Sequence, residues 1–166
     1  MADLTSNINL LQPSGFKITI DRQNYPNLEF FAQSISHPSI SGDQPEQLFR
    51  GQRVSGTPSA LTFGDLSVII LVDENMSSYT EMQEWLFRLV NGKDLGALEA
   101  KQNNVIPSRC DIQVSVLTSH NNTNKTIIYR DAFPIDMGSL ELEVTAGETN
   151  FITYSATFKY SRFEIS

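Results

Sequence analysis

The chain has 166 residues, 40% of them hydrophobic and 19% charged, which predicts a single globular domain over residues 1–166 and excludes a disordered or fibrous protein. Its formal net charge of -7, with only 12 Lys and Arg residues, argues against tight binding to a nucleic-acid backbone. No apolar run is long enough to span a membrane and no signal peptide is recognisable, so we expect no membrane partner and a protein that stays where it is made.

The first predicted elements are two strands and a long loop. Apolar and polar residues alternate along Phe16–Ile20, which is the pattern of a strand with one solvent-exposed face. We predict a second strand over residues 29–35. Residues 37–60 contain three prolines, three glycines and only four large apolar residues, so we predict a structureless loop that projects from the sheet. A loop of this length is usually functional or ordered by a partner.

One strand followed by one amphipathic helix is predicted in the middle of the chain. Residues 66–72 are apolar on both faces, which predicts a strand covered on both sides. Ser78 and Glu81 have the spacing of a capping box, and Gly92 follows the last apolar residue as a stop signal. We therefore predict a helix over residues 77–91 that packs on a sheet. Its apolar stripe consists of Tyr79, Met82, Leu86, Leu89 and Val90, with Trp85 at the edge.

The rest of the chain again has the pattern of a sheet. In chain order we predict a second projecting loop at residues 93–107, strands at 112–116 and 126–132 joined by a polar hairpin turn at 119–125, and strands at 140–144 and 152–160. The apolar parity then changes, which predicts a bulge or bend near Ser161. The expected fold is mainly β, an antiparallel β-sandwich or barrel of about seven or eight strands with one flanking α-helix.

The residues that commonly carry chemistry are few. His37 and His120 both lie beside turn residues, and the single cysteine, Cys110, precedes an alternating strand, where we expect it to be buried and inert. No metal-ligand spacing and no glycine-rich phosphate loop occurs in the sequence. We therefore predict no catalytic residue, no cofactor and no metal site, and we interpret the chain as a protein that is not an enzyme.

Two other classes of protein remain open at this stage. A carbohydrate-binding sandwich would use exposed aromatic residues as a platform for a sugar ring, and the candidates are Tyr25, Phe31, Phe49 and Tyr129. A small-ligand barrel or a hydrolase would need a lined pocket that holds an acid with a perturbed pKa. Either of these should elute near 18.6 kDa, whereas a self-assembling protein should elute as a much larger species.

The order of several short motifs resembles one known family over residues 10–165. The motifs are Phe16-Lys-Ile-Thr-Ile, Phe31-Ala-Gln-Ser-Ile-Ser-His-Pro38, Phe63-Gly-Asp-Leu-Ser-Val, Leu71-Val-Asp-Glu-Asn leading to Trp85-Leu, Ser119-His-Asn-Asn, Asp131-Ala-Phe-Pro134 and Ala156-Thr-Phe-Lys-Tyr160. In this arrangement the chain resembles the tail tube proteins of contractile-tailed bacteriophages, a family related to the tube protein of the type VI secretion system.

The resemblance implies a structural role. In that family a small β-barrel or sandwich with a flanking helix closes into a ring of six subunits, and the rings stack into a tube through which the genome passes. The implied partners are further copies of the chain, tail sheath proteins and baseplate proteins, and DNA would pass through the lumen without specific binding. The implied location is the virion tail, assembled in the host cytoplasm. Short tube-initiator proteins of the baseplate are similar, so that role remains an alternative.

The residues suggest where such contacts would form. Open sheet edges are a liability for a monomer, and a ring that joins the edges of neighbours would satisfy them. A second contact, on the faces of the ring, would then give an open polymer. The loop at residues 37–60 is the candidate for this inter-ring contact, with Leu48, Phe49 and Val54 as its anchors. The candidate acids for a lumen that repels DNA phosphate are Asp65, Glu141 and Glu143.

Overall fold

The computed structural model describes residues 11, 13–90, 107–142 and 151–166, without the side chains of residues 47 and 54. Eleven strands and two helices lie in these ranges. They are β1 (Phe16–Ile20), α1 (Pro26–Phe31), β2 (Ala32–Ser36), β3 (Ile40–Gly42), β4 (Glu46–Phe49), β5 (Gln52–Ser55), β6 (Leu61–Phe63), β7 (Leu66–Leu71), α2 (Ser77–Val90), β8 (Cys110–Leu117), β9 (Thr123–Met137), β10 (Thr153–Lys159) and β11 (Arg162–Ile165). Neither helix is long and apolar enough to cross a membrane.

Seven strands form one antiparallel sheet that bends along β9. The strand order is β1-β8-β9-β10-β7-β2, and β11 also pairs with β9. The first half of β9 pairs with β8 and β11, whereas its second half, from Phe133, pairs with β10. Near the end of the first half, Asp131 has a φ of 53°, a left-handed conformation at the point where the register of the β8–β9 ladder shifts. The predicted antiparallel, mainly β fold is confirmed.

Both halves of the sheet contribute to one hydrophobic core. Ile18, Ile112 and Val114 come from the β1–β8 side, and Val68 and Tyr154 come from the β7–β10 side. All of them belong to the alternating apolar positions that predicted strands. The single strand β9 belongs to both halves of the sheet, so it connects them along one side of the core. The two halves with their shared core have the character of a sandwich.

Helix α2 confirms the predicted helix, but the centre of its buried face differs from the prediction. Trp85 was placed at the edge of the stripe, yet it is fully buried and stacks on Tyr25 with ring centroids 4.4 Å apart. Its indole Nε1 donates to the carbonyl of Ser108 at 2.9 Å, so the polar atom is satisfied. Val90, which was placed in the stripe, is 82% exposed.

The predicted capping box is wrong, because Glu81 stabilises the other helix. Ser78 lies inside α2, where its backbone N–H donates to the Asp73 carboxylate at 3.2 Å. Glu81 instead accepts from the backbone N–H groups of Asn27 and Leu28, each at 3.1 Å. Backbone N–H groups in the first turn of a helix have no acceptor within the helix, and the Glu81 carboxylate supplies one for α1. The stop signal at Gly92 lies outside the described residues.

The strand predicted over residues 29–35 is wrong in its first part, which belongs to helix α1. The chain is helical through Phe31, and β2 begins only at Ala32. Pro26 occupies the first turn, where its missing N–H costs nothing, and Leu28 is buried in the core. The prediction failed because a helix of six residues is too short to show a helical period. Its stability comes from the Glu81 contact and from burial.

The later strands are largely confirmed. The predicted hairpin of β8 and β9 is confirmed, but its turn covers residues 118–122 and not 119–125, because Thr123 and Lys125 already pair with β8. The predicted bend at Ser161 separates β10 from β11. Residues 140–142, however, belong to no strand, and residues 143–144 lie outside the described ranges. Ile69 was expected to be covered, yet it is 39% exposed, so the outer face of β7 is only partly covered within one chain.

Candidate assembly surfaces

Residues 40–63 form a β-structured arm and not the structureless loop that was predicted. Strands β3 and β6 pair with each other, and β4 and β5 form a hairpin between them. The hairpin is joined by Arg50 and Gly51, whose φ values of 49° and 81° are those of a two-residue turn with both central residues left-handed. Glu46 and Arg53 form an ion pair of 3.3 Å across the hairpin, where both are exposed. The second predicted loop, residues 93–107, lies outside the described residues except for Pro107.

The end of the arm presents large apolar side chains to solvent. Leu48 is 76% exposed and Phe49 is 66% exposed, and Ile40 and Leu61 are exposed on the neighbouring ladder. The guanidinium of Arg50 lies over the Phe49 ring, 5.6 Å from its centroid. The third predicted anchor is Val54, whose side chain is not among those that the structure describes. Apolar groups gathered on a projecting hairpin are typical of an interaction surface.

Two strands at the ends of the sheet have open edges. Within the described ranges β1 pairs only with β8, and β2 pairs only with β7. Each therefore presents one row of backbone N–H and C=O groups without a strand partner, which is a template for pairing with another chain. These two strands are the first and the last in the strand order, so their edges are different surfaces of the chain.

A cleft of about 710 Å³ lies between β1, α1 and β2. Phe16, Phe30 and Ala32 contribute apolar surface, and Phe30 is 80% exposed. Glu29 also lines the cleft, and its side chain is only 9% exposed. Arg22 pairs with one oxygen of this carboxylate, with Nε 3.1 Å from Oε1. We call this site the cleft below.

The predicted lumen acids are not gathered into one cluster by direct contacts. Asp65 lies in the turn before β7 and forms an ion pair with Lys159, which offsets part of its charge. Glu141 is exposed in the segment after Gly138. Glu143 lies outside the described residues. The acids were predicted to alternate along strands, but the two described ones lie in connections.

The histidines and the cysteine do not form a catalytic pair. The Nδ1 atom of His37 lies 2.6 Å from the Tyr129 hydroxyl, and its ring packs edge-on against Phe163. Burial raises the pKa of Tyr129, so its hydroxyl stays protonated near neutral pH. His120 Nδ1 instead lies 3.2 Å from the Ser119 hydroxyl. Across the described ranges, no group of three His, Cys, Asp or Glu residues could hold a metal ion.

Cys110 should be slow to react, and its removal should be tolerated. It is partly buried against the core, and desolvation raises the pKa of the thiol to about 12. The reactive thiolate is therefore scarce at pH 8. We expect a thiol-specific reagent to label the native protein far more slowly than the urea-unfolded protein. Cys110→Ala should cost about 1 to 2 kcal/mol of unfolding free energy and leave assembly intact. Fast labelling of the native protein at pH 8 would contradict this.

The four aromatic residues predicted as a platform for a carbohydrate do not form one. Tyr25 and Tyr129 are 2% and 0% exposed, and both pack against other rings inside the protein. Phe31 is partly buried against the core, so only Phe49 among the four candidates is open to solvent. A sugar ring needs at least one broad exposed face, and these residues do not share one.

Four residues of these surfaces were missed in the sequence. Arg50-Gly51 between two short alternating runs is a hairpin signal, and the abundance of proline and glycine nearby obscured it. Phe30 was placed on a strand, where its exposure could not be anticipated. Glu29 was treated in the same way, and no local pattern distinguishes a carboxylate that will be buried in a cleft.

Comparison with known proteins identifies one matching family. The family described as phage tail tube protein matches residues 6–166, which is nearly the whole chain. No curated protein matches the sequence.

Solved structures share the fold at low sequence identity. A chain from the sheath–tube complex of an extracellular contractile injection system in the extended state, PVC, is 15% identical with a TM-score of 0.66, covering 96% of this chain and 93% of its own. The tube-terminating cap of the anti-feeding prophage is 16% identical with a TM-score of 0.64, covering 99% and 95%. The PVC sheath/tube terminator is 17% identical with a TM-score of 0.62, covering 96% and 99%.

Proposed function

The chain belongs to the phage tail tube protein family, and from that membership we propose that six copies close into a ring and that the rings stack into a hollow conduit for genome delivery. The family is one of structural tube proteins, so the chain has a tail-tube-like structural role and is not an enzyme. The observation that carries the proposal is the pair of open edges at the two ends of one sheet, together with an arm whose exposed apolar end no part of the described chain covers.

The edges account for ring closure in this proposal. The open edge of β1 in one copy pairs with the open edge of β2 in the next, and the repetition of one head-to-tail contact closes a ring. Closure pairs the β1 and β2 edges, so neither remains open for edge-to-edge aggregation. The partly exposed Ile69 on β7 is then positioned to be covered by a neighbour.

The arm accounts for stacking. Leu48 and Phe49 are the anchors of the inter-ring contact, and Val54 is proposed as the third. Burial of each large apolar side chain stabilises a contact by about 1.5 to 3 kcal/mol when it is complete. Six such contacts per ring interface would make the polymer much more stable than any single pair.

Acid in the lumen completes the proposal. Asp65, Glu141 and Glu143 are the proposed lining acids, and the net charge of -7 agrees with a wall that repels phosphate. DNA would then slide through without being held. The proposed partners are further copies of the chain, tail sheath proteins and baseplate proteins. The proposed location is the virion tail, with assembly in the host cytoplasm and the chain acting as a single domain.

A second candidate is a role at one end of the tube. Similar folds include a tube-terminating cap, a sheath/tube terminator and a chain from the baseplate of the anti-feeding prophage, the last with a TM-score of 0.57 at 12% identity. A tube-initiator or terminator protein needs ring contacts but does not need self-stacking on both faces. The purified chain would then stop at single rings or double rings.

Negative-stain electron microscopy of the purified chain tests the proposal. We expect rings of uniform diameter with sixfold averages, and tubes of variable length, formed without added metal or nucleotide. Chelator treatment should leave them intact. A species that stays near 18.6 kDa at high concentration, or assemblies that dissolve in chelator, would overturn the proposal. Uniform single rings at all concentrations would favour the tube-initiator role.

A further inference from the structure

Glu29 has a buried oxygen with no partner. Its Oε2 atom makes no hydrogen bond, and it is the one such side-chain atom among the buried polar atoms of the described residues. The other oxygen, Oε1, is paired with Arg22. A buried carboxylate oxygen without a partner is costly, because it has lost water and gained nothing in return. Because Glu29 is one of the residues that line the cleft, a donor that entered the cleft would lie beside this side chain.

Arg50 is held in an unfavourable backbone conformation at the end of the arm. The turn of the β4–β5 hairpin requires a positive φ at both central residues, and Asn or Gly is preferred there. Gly51 satisfies this preference, but Arg50 has a φ of 49° and strain that Asn would relieve. Strain of this kind concentrates at residues with a role in binding or switching. Within the described ranges Arg50 makes no ion pair, and its guanidinium lies over Phe49.

The two sites complement each other. Residues 48–51, here called the tip, offer two exposed apolar side chains and one cation, and the cleft offers an exposed Phe30 and a carboxylate oxygen without a donor. The cleft volume of about 710 Å³ is in the range that holds a few side chains. Lys17 and Arg22 also line the cleft, and Arg22 already occupies Oε1, so an incoming cation has Oε2 as its acceptor.

We propose that the tip of one copy docks in the cleft of a second copy, with Arg50 donating to Glu29 Oε2 and Phe49 packing against Phe30. The occupant is a second copy because the tip of the same chain remains exposed in the structure. This proposal rests on the proposed stacking of rings and identifies the surface that receives the arm. It also gives Arg50 a role that asparagine, which this turn favours, could not fill, namely a charge-assisted hydrogen bond to a buried carboxylate.

Disulfide trapping tests which surfaces meet, and it leaves the four contact residues unchanged. In a Cys110→Ala background, Gln33→Cys places a thiol at the rim of the cleft, and Gln52→Cys places one beside the tip. Oxidation of a mixture of the two variants after assembly should give disulfide-linked dimers, and neither variant alone should give them. The matched control pairs Gln52→Cys with Ser161→Cys, which lies at the exposed bend between β10 and β11.

The outcomes separate this proposal from the one on which it rests. Tubes in the micrographs without a link between positions 33 and 52 would overturn the docking site and leave the tube role standing. A control mixture that links as well as the test mixture would also overturn the docking site. The absence of any rings or tubes would overturn both proposals.

A double-mutant cycle tests the charge pair itself. Arg50→Asn removes the cation and relieves the backbone strain, and Glu29→Gln removes the negative charge while it keeps the size. Each single variant should raise the critical concentration for tube growth by at least roughly thirtyfold, as loss of one partner of a desolvated charge pair does. The double variant should be no worse than either single variant. Arg50→Lys, which keeps the charge, should recover part of the loss.

Two results would overturn the Arg50–Glu29 pair. The first is a double variant whose rise in critical concentration combines the full effects of both single variants. The second is an Arg50→Asn variant that forms tubes like the parent. The urea midpoint of each unassembled variant shows whether the chain still folds. Should Glu29→Gln fail to fold, the Arg50→Asn and Arg50→Lys variants still decide the outcome, because the exposed tip contributes nothing to the core.

Discussion

The double variant Leu48→Ser and Phe49→Ser should fold and form single rings, but long tubes should become rare. Both side chains are exposed at the end of the arm, so their loss removes nothing from the core. Each anchor contributes about 1.5 to 3 kcal/mol when it is fully buried in a partner. A loss of this size is repeated at six sites in each ring interface, so it multiplies along the polymer. Tube length in micrographs and sedimentation of the polymer measure the effect.

A matched control removes the same number of exposed apolar side chains elsewhere. Ile135 and Ile165 are 43% and 59% exposed and lie on β9 and β11. The variant with serine at both positions should polymerise like the parent if stacking depends on the arm. Circular dichroism should be unchanged for both double variants. If the Leu48 and Phe49 variant polymerises as well as the parent, the arm is not the stacking element, and residues 1–13 become the next candidate.

Trp85→Ala should cost about 3 to 5 kcal/mol of unfolding free energy, the range for deletion of a large buried aromatic side chain. The indole is fully buried, stacks on Tyr25, and lies 5.8 Å from the Phe158 ring. Its deletion leaves a cavity where α2, the Tyr25 segment and β10 meet, and it leaves the Ser108 carbonyl without its donor. A loss of this size is a large fraction of the stability of a typical domain. Urea unfolding of the unassembled chain measures it.

Phe87→Ala is the matched control for this prediction. Phe87 lies on the same helix, but its side chain is 54% exposed, so its truncation should cost less than about 1 kcal/mol of unfolding free energy. Equal losses in the two variants would show that α2 is held by something other than the Trp85 contact. Assembly by Phe87→Ala should match the parent.

The sequence by itself determined the elements in which buried apolar residues recur at a fixed spacing. Helix α2, strand β1, the β8–β9 hairpin and the bend at Ser161 all follow from spacing of apolar residues over five to fourteen positions. The order of short motifs along the chain also indicated the family, which the match over residues 6–166 then established.

Only the tertiary structure decided the features that depend on contacts between distant residues. Glu81 caps a helix that lies 53 and 54 residues earlier in the chain, and a capping box formed by neighbours looks the same in the sequence. Helix α1 has too few residues to show a period, and the arm is defined by pairing between β3 and β6 across residues that resemble a loop. The exposure of Phe30, the burial of Glu29 and the strain at Arg50 likewise follow from where the backbone places each residue. Local spacing reports which face of an element is buried, but the identity of the partner is set by chain folding over long sequence separations.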